Sequence, residues 1–126
     1  MAYQTAKRAN ANDKIRIQRC YDKAEKALAL HNQNSMEIDL ELHLAIAEAS
    51  HNRFFTQAMQ TISIQVLDGM AKVSEYFIGN KARHHSIKSM EHSLILEAIM
   101  MSDAPMAKAA MELHLERSKN WIKASK

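Results

Sequence analysis

Turn-forming residues are scarce in this chain, which has two glycines and one proline among 126 residues. The commonest residues include alanine, leucine, methionine, lysine and glutamate, which all favour helices. A β-fold of this length needs many tight turns, and their usual residues are missing here. The sequence therefore predicts an all-α fold, an antiparallel helical bundle of about six helices that forms a single domain over residues 1–126.

Apolar residues that recur at steps of three and four mark the individual helices. The pattern predicts helices over 2–9, 13–31, 36–50, 53–78, 83–101 and 104–123. Ser35 and the run Ser102-Asp103-Ala104-Pro105 are helix-start signals, and Gly79-Asn80 is a stop signal. The predicted apolar faces include Phe54, Met90, Leu94 and Leu115.

Several classes of protein do not fit this sequence. The longest uncharged run, residues 54–67, is too short and too polar to span a bilayer, and we find no signal-peptide pattern. A single cysteine, Cys20, cannot form an internal disulfide. We therefore expect a cytoplasmic protein with no membrane contact.

The net charge of +3 comes largely from lysines and arginines between residues 7 and 26. This cluster is either a solvated helix face or a contact with an acidic partner such as nucleic acid. No aromatic residues interleave for base stacking, and we find no helix-turn-helix pattern. We therefore expect no DNA contact by this chain alone.

Three histidines and one aspartate have a spacing that suits a metal site. His92 and His114 each lie eleven residues from the predicted turn at Asp103, so they reach equal height in a helical hairpin. Asp39 lies four residues before His43, on the same helix face. A lone inward histidine is usually a satisfied core residue, but three at one depth beside a carboxylate predict a divalent metal site. Imidazole-rich ligands favour zinc, with nickel or manganese as alternatives.

Four protein ligands leave positions open on a six-coordinate ion. A small carboxylic acid could fill them, and an arginine or an amide would help to orient it. Asn52, Arg83 and Arg117 are candidates for this effector-binding role. Asn52 is otherwise a turn residue, and Arg83 is otherwise a surface charge.

The same residues resemble a known family. Residues 39–52 (DLELHLAIAEASHN) are similar to the D-x-x-F-H…A-x-A-S-x-N signature of the FadR C-terminal (FCD) domain found in GntR-type transcription regulators. Residues 91–99 match its E-H-x-x-I-x-x-A-I segment, and residues 103–115 match its D-x-x-x-A-x-x-x-M-x-x-H-L segment. The resemblance covers about residues 10–122.

The resemblance implies an effector-binding helical bundle. Family members hold a divalent metal at positions that fall on Asp39, His43, His92 and His114, and they sense acids such as lactate, pyruvate, glycolate or gluconate-type acids. These acids alter DNA binding by a separate winged helix-turn-helix domain, and a homodimer is one assembly to test. We expect that domain, and most of the family's first bundle helix, to lie outside this chain. Leu42 stands where the family usually has an aromatic residue.

Two other functions remain open from the sequence. A metal-dependent hydrolase needs a general base beside a metal-bound water. Glu41 points away from Asp39 on the helix, and Glu91 and Glu112 are offset from their histidines. We therefore assign no catalytic residues and expect that the protein is not an enzyme. A metal-free helical interaction module is the second alternative, and elemental analysis distinguishes it from a metal-dependent sensor.

Overall fold

The described part of the chain is a bundle of α-helices. The computed structural model describes residues 1–29, 35–61, 63, 65, 68 and 81–124, without the side chains of 28, 35, 36, 81–85, 118 and 120–124. Its helices are α1 (Ala2–Arg8), α2 (Ala11–Ala29), α3 (Ser35–Ala49), α4 (Arg53–Thr61), α5 (Lys81–Met100) and α6 (Ala104–Ala124). No strand occurs in these described ranges. The predicted all-α class is confirmed.

The predicted helix boundaries agree with the structure to within two residues for α1, α3, α5 and α6 and for the start of α2. The predicted end of α2 at residue 31 lies outside the described residues. The fourth predicted helix, 53–78, begins as expected at Arg53. Residues 63, 65 and 68 are also helical, and the rest of that prediction lies outside the described residues.

Helices α2 and α3 run antiparallel, as their ion pairs show. Lys23 Nζ lies 3.2 Å from Glu41 Oε2, and nearer the start of α2, Arg16 pairs with Glu48 near the end of α3. A later residue of one helix therefore meets an earlier residue of the other. The two helices are closely packed along this interface.

Helix α2 also packs antiparallel to α5. Ser89 Oγ donates a hydrogen bond of 2.6 Å to Glu25 Oε2 near one end of the pair. At the other end, Lys14 Nζ donates to the carbonyl oxygen of Met100 at 3.2 Å. Helix α2 thus contacts both α3 and α5. The residues of α3 and α5 that meet the same part of α2 lie at the same level of the bundle.

Helices α5 and α6 form a hairpin with a three-residue connection. Helix α5 ends in a Schellman motif, because Asp103 N–H donates to Ala98 O at 2.8 Å and Ser102 N–H donates to Ile99 O at 3.0 Å. Ser102 takes the left-handed conformation that this motif needs, with φ of 56°. Asp103 Oδ1 then accepts a hydrogen bond of 3.2 Å from Met106 N–H and caps α6. The predicted turn is confirmed, and its shortness aligns the two helices.

Helix α1 closes one end of the bundle by capping α3. Thr5 Oγ1 donates to the carbonyl oxygen of Ile46 at 2.6 Å, and Arg8 Nη1 donates to that of Ser50 at 3.4 Å. The last carbonyls of a helix lack donors within the helix, so these contacts satisfy them. Helix α1 also packs against α5 and α6.

Small residues let the helices approach closely. The buried core consists largely of alanines from five helices, filled out by Ile17, Ile38, Ile46, Ile95 and Ile99. Such a core has little apolar bulk per residue, because an alanine buries less apolar surface than a larger aliphatic residue.

Four residues expected on apolar faces are exposed instead: Phe54, Met90, Leu94 and Leu115, with exposed fractions of 73%, 52%, 42% and 55%. Those predictions were wrong. On α5 the buried face carries His92, Ile95 and Ile99, and positions 90 and 94 lie about 200° away from His92 around the helix. Within the described residues, no helix is both long and apolar enough to cross a membrane.

Candidate metal centre

Four buried side chains from three helices meet at one level of the bundle. Helix α3 supplies Asp39 and His43, α5 supplies His92 and α6 supplies His114. None of the four is more than 7% exposed. The sequence predicted this meeting from the spacing on α3 and from the symmetry of the α5–α6 hairpin, and the structure brings the four residues together.

The three imidazole rings form a tight triangle. The ring centroids of His92 and His114 are 5.1 Å apart, and His43 lies 5.7 Å from the first and 5.6 Å from the second. One nitrogen of each ring lies within 4.8 Å of the others, which is close enough for all three to bind one ion.

The two carboxylate oxygens of Asp39 face different partners. Oδ1 lies 3.3 Å from His92 Nε2 and 3.6 Å from His43 Nε2, whereas Oδ2 lies 2.7 Å from Lys88 Nζ. The contact with Lys88 is a close ion pair, and Oδ1 has no hydrogen-bond partner among the described residues. Asp39 Oδ1 therefore points toward the histidines with its lone pairs unused.

Burial and the local charges set the protonation of this cluster. Burial alone raises the pKa of Asp39, but the Lys88 ammonium, with His92 and His43, reverses this and holds that pKa well below its ordinary range. Burial lowers the pKa of His43 to about 4 and that of His92 to about 3, against the opposing effect of Asp39. Near pH 7 the carboxylate is charged and both imidazoles are neutral, which is the state that metal ligands require.

Glu91 orients the third histidine. Its Oε2 lies 3.2 Å from His114 Nδ1, and its Oε1 lies 3.9 Å from Arg117 Nη1. A carboxylate at this position accepts a hydrogen bond from Nδ1–H, so the Nε2 lone pair of His114 is left for a ligand. Metal-binding histidines are commonly held in this way by a second carboxylate.

From the sequence, Glu91 was considered only as a catalytic base, and Lys88 was not predicted to lie at the site. Lys88 precedes His92 by four residues, which is the spacing that singled out Asp39 before His43. Glu91 precedes His92 by one residue, so the same hairpin register that pairs His92 with His114 also brings Glu91 to it. Both spacings can be read from the sequence, but the rotation of α5 that turns these side chains inward cannot.

The cluster fits a divalent cation on its own chemistry. Asp39 Oδ1, His43 Nε2 and His92 Nε2 are buried atoms without hydrogen-bond partners among the described residues. Leaving such atoms unsatisfied costs about 1–3 kcal/mol each. Three imidazoles and one carboxylate are also the ligand types that zinc and similar cations bind. These residues could therefore hold one metal ion.

A small apolar cavity borders the cluster between α2, α3 and α5. His43 and His92 form part of its wall, and the rest of the lining is largely apolar: Ile17, Tyr21, Leu42, Ile46, Ile95 and Leu96. Leu42 replaces an aromatic residue of the family pattern in this wall.

The structure does not test the predicted effector contacts, which therefore stay predictions. Asn52 caps α4, because its Oδ1 accepts a hydrogen bond of 3.0 Å from Phe54 N–H. Arg83 lies in the first turn of α5, and its side chain is outside the described residues. Arg117 contacts Glu91, as described above. Of the histidines predicted at the surface, His51 is exposed and pairs with Asp13, and the side chains of His31, His84 and His85 lie outside the described part.

Comparison with known proteins places the chain in a family. The family model described as the FCD domain matches residues 1–117, so the match begins earlier than the resemblance seen in the sequence, which starts near residue 10. A protein of Escherichia coli (strain K12), named as a regulatory protein of the L-lactate dehydrogenase operon, is 34% identical over 114 residues. The HTH-type transcriptional regulator LutR of Bacillus subtilis (strain 168) is 30% identical over 95 residues.

These alignments cover most of the chain but less than half of each relative. The first covers 90% of this chain and the second 69%, and each spans 43% of the relative's own length. The family match and the helical bundle agree with each other, and the four converging side chains lie inside the matched range. The chain belongs to the FCD domain family.

Proposed function

We propose that this chain is the ligand-sensing domain of a GntR-type transcription regulator. In this proposal Asp39, His43, His92 and His114 hold one divalent cation, with zinc favoured by the three imidazoles and nickel or manganese as alternatives. A small carboxylic acid binds at the remaining coordination positions. The acid then alters DNA binding by a separate domain, for which the greater length of the relatives leaves room.

One observation carries the proposal. Buried oxygen and nitrogen atoms of Asp39 and His43 on α3 and of His92 on α5 face one another without hydrogen-bond partners among the described residues. A bound divalent cation would supply positive charge and open coordination positions for carboxylate oxygens. Around it, Glu91 fixes the His114 ring, and Asp39 is held in its ionised form by Lys88.

The geometry gives less support to a hydrolase. Glu41 Oε2 pairs with Lys23 at the surface, and its side chain is 53% exposed, so it does not face the cluster. Glu91 is engaged with His114. Neither carboxylate is placed to activate a water beside Asp39 and the histidines. The names of the relatives are those of regulators and suggest no reaction.

A thermal-shift screen tests the proposal. The chain is loaded with zinc, nickel or manganese and scanned against hydroxy-, keto- and dicarboxylic acids of two to six carbons, including L-lactate because of the first relative's name. Each scan is repeated after chelation. We expect acids that raise the melting temperature of the metal-loaded domain and not that of the chelated one. Stabilisation that survives chelation, or a screen without any response, would contradict the proposal.

A further inference from the structure

Lys88 is a lysine directed into the bundle. It lies one turn before His92 on α5, and its side chain is 12% exposed. Two other lysines in ion pairs, Lys23 and Lys108, have side chains 58% and 63% exposed. A lysine normally keeps its ammonium in water, so burial beside Asp39 needs a specific reason.

The two carboxylate oxygens of Asp39 have different neighbours because of the contact with Lys88. Oδ2 lies 2.7 Å from the ammonium, and Oδ1 alone faces the ring nitrogens of His43 and His92. Asp39 therefore offers one oxygen to a cation instead of two. With one nitrogen from each histidine, the chain supplies four donor atoms, and a six-coordinate ion keeps two positions for another molecule.

The charges near the cluster predict that this molecule is an anion. Asp39 contributes one negative charge, which the Lys88 ammonium 2.7 Å away already balances. Glu91, on the His114 side, is faced by Arg117. With a divalent cation present, the Lys88 side carries net positive charge in a buried place, which is costly without a compensating anion.

The Lys88 ammonium also has more N–H donors than its contact with Asp39 uses. It carries three N–H groups, and Asp39 Oδ2 can accept only part of them. A carboxylate that binds the cation through one oxygen presents a second oxygen to a neighbouring donor. Charge-assisted hydrogen bonds of this kind are among the stronger ones in proteins.

We propose that Lys88 is an anion-binding residue of the sensor, which holds the carboxylate of the small acid while it keeps Asp39 a one-oxygen ligand. This inference rests on the proposed function and adds to it a specific recognition residue. Lys88 should therefore have opposite effects on the affinity for the metal and on the affinity for the acid. The ammonium competes with a cation for Asp39 and weakens metal binding, whereas it strengthens binding of the acid.

The test compares Lys88→Met with Lys88→Arg and with the matched surface variant Lys108→Met. Zinc affinity is measured by competition with a chromophoric chelator, and acid affinity is measured by calorimetry on the zinc-loaded proteins. The acid is whichever of acetate, glycolate, L-lactate, pyruvate, malate and citrate most stabilises the zinc-loaded wild type. We expect Lys88→Met to bind zinc at least as tightly as the wild type and to bind the acid about tenfold or more weakly. Lys88→Arg should retain most of the acid affinity, and Lys108→Met should match the wild type in both measurements.

Three results would overturn the inference. One is a zinc-loaded Lys88→Met that binds the acid within about twofold of the wild type. Another is loss of zinc binding in Lys88→Met, which would make Lys88 a support for Asp39 only. The third is a wild type that binds zinc and none of the six acids. A wild type that does not bind zinc, nickel or manganese would remove the proposed function as well. If Lys88→Met does not fold even with zinc, Lys88→Gln takes its place, and the same outcomes apply.

Discussion

Two groups of buried polar side chains in this bundle differ in how their atoms are satisfied. At the α1–α3 junction, Thr5 and Ser50 are fully buried, and each hydroxyl donates a hydrogen bond of 2.6 Å to a backbone carbonyl. At the histidine cluster, Asp39, His43 and His92 are just as buried, and several of their polar atoms have no hydrogen-bond partner among the described residues. Both groups include α3, at points about two turns apart: His43 lies on this helix, and Ser50 directly follows its last residue.

The difference separates a structural role from a binding role. Thr5 and Ser50 satisfy carbonyls at the end of α3, so the polypeptide alone completes their hydrogen bonds. The unsatisfied atoms of the cluster belong to different helices and converge on one another, which no helix cap requires. Buried polar groups that face one another and have no hydrogen-bond partner within the described chain indicate a ligand from outside it.

The largest expected effect is the loss of metal-dependent stability in His114→Ala. At a thousandfold excess over the dissociation constant, a bound ion stabilises the wild type by about 4 kcal/mol. His114→Ala removes one of the predicted ligands, so adding zinc should change its melting temperature little. His51→Ala is the control, because His51 is an exposed histidine paired with Asp13. A His114→Ala variant that zinc stabilises as much as the wild type would show that the cluster is not the metal site.

A substitution at the α1–α3 junction should lower the stability to the same extent with and without zinc. Thr5→Val keeps the shape of the side chain and removes the donor to Ile46 O, at a cost of about 1–3 kcal/mol. We expect the same loss in unfolding free energy with zinc and with chelator. Thr61→Val is the control, because Thr61 makes an exposed hydroxyl contact with the backbone of its own helix. If zinc restored the stability of Thr5→Val, the two regions would not be independent.

A smaller effect is expected when the carboxylate behind His114 is neutralised. Glu91→Gln leaves a side chain of the same size but a weaker acceptor for His114 Nδ1–H, which loosens the ring and lowers its basicity. Carboxylates in this position typically contribute about 10- to 100-fold to metal affinity. Zinc titration against a competing chelator measures the change, and Glu112→Gln serves as the exposed control on α6. An unchanged zinc affinity in Glu91→Gln would mean that Glu91 only balances the charge of Arg117.

The sequence was sufficient for the parts of this molecule that depend on regular spacing. Helical periodicity predicted the helices, and the cap at Asp103 placed the hairpin turn that brings His92 beside His114. The four-residue step from Asp39 to His43 placed both on one face of α3. Each of these inferences needs only the geometry of an α-helix and one turn.

The sequence was insufficient where the rotation of a helix against its neighbours decides the outcome. Met90 and Leu94 are apolar yet exposed, because α5 turns Glu91, His92 and Ile95 inward instead. Polarity alone argues against burying Glu91, and its partner lies 23 positions along the chain. Lys88 was missed for the same reason, since its burial follows from the charge of Asp39 across the α3–α5 interface.

Metal content tests the central claim most directly. The chain is loaded with zinc, freed of excess ion by dialysis and analysed by inductively coupled plasma mass spectrometry, with native mass spectrometry to count ions on each chain. The account predicts about one divalent ion per chain in the wild type and none at stoichiometric level in a His43→Ala, His92→Ala double variant. A wild type that retains no ion at stoichiometric level, or a double variant that retains as much as the wild type, would contradict it.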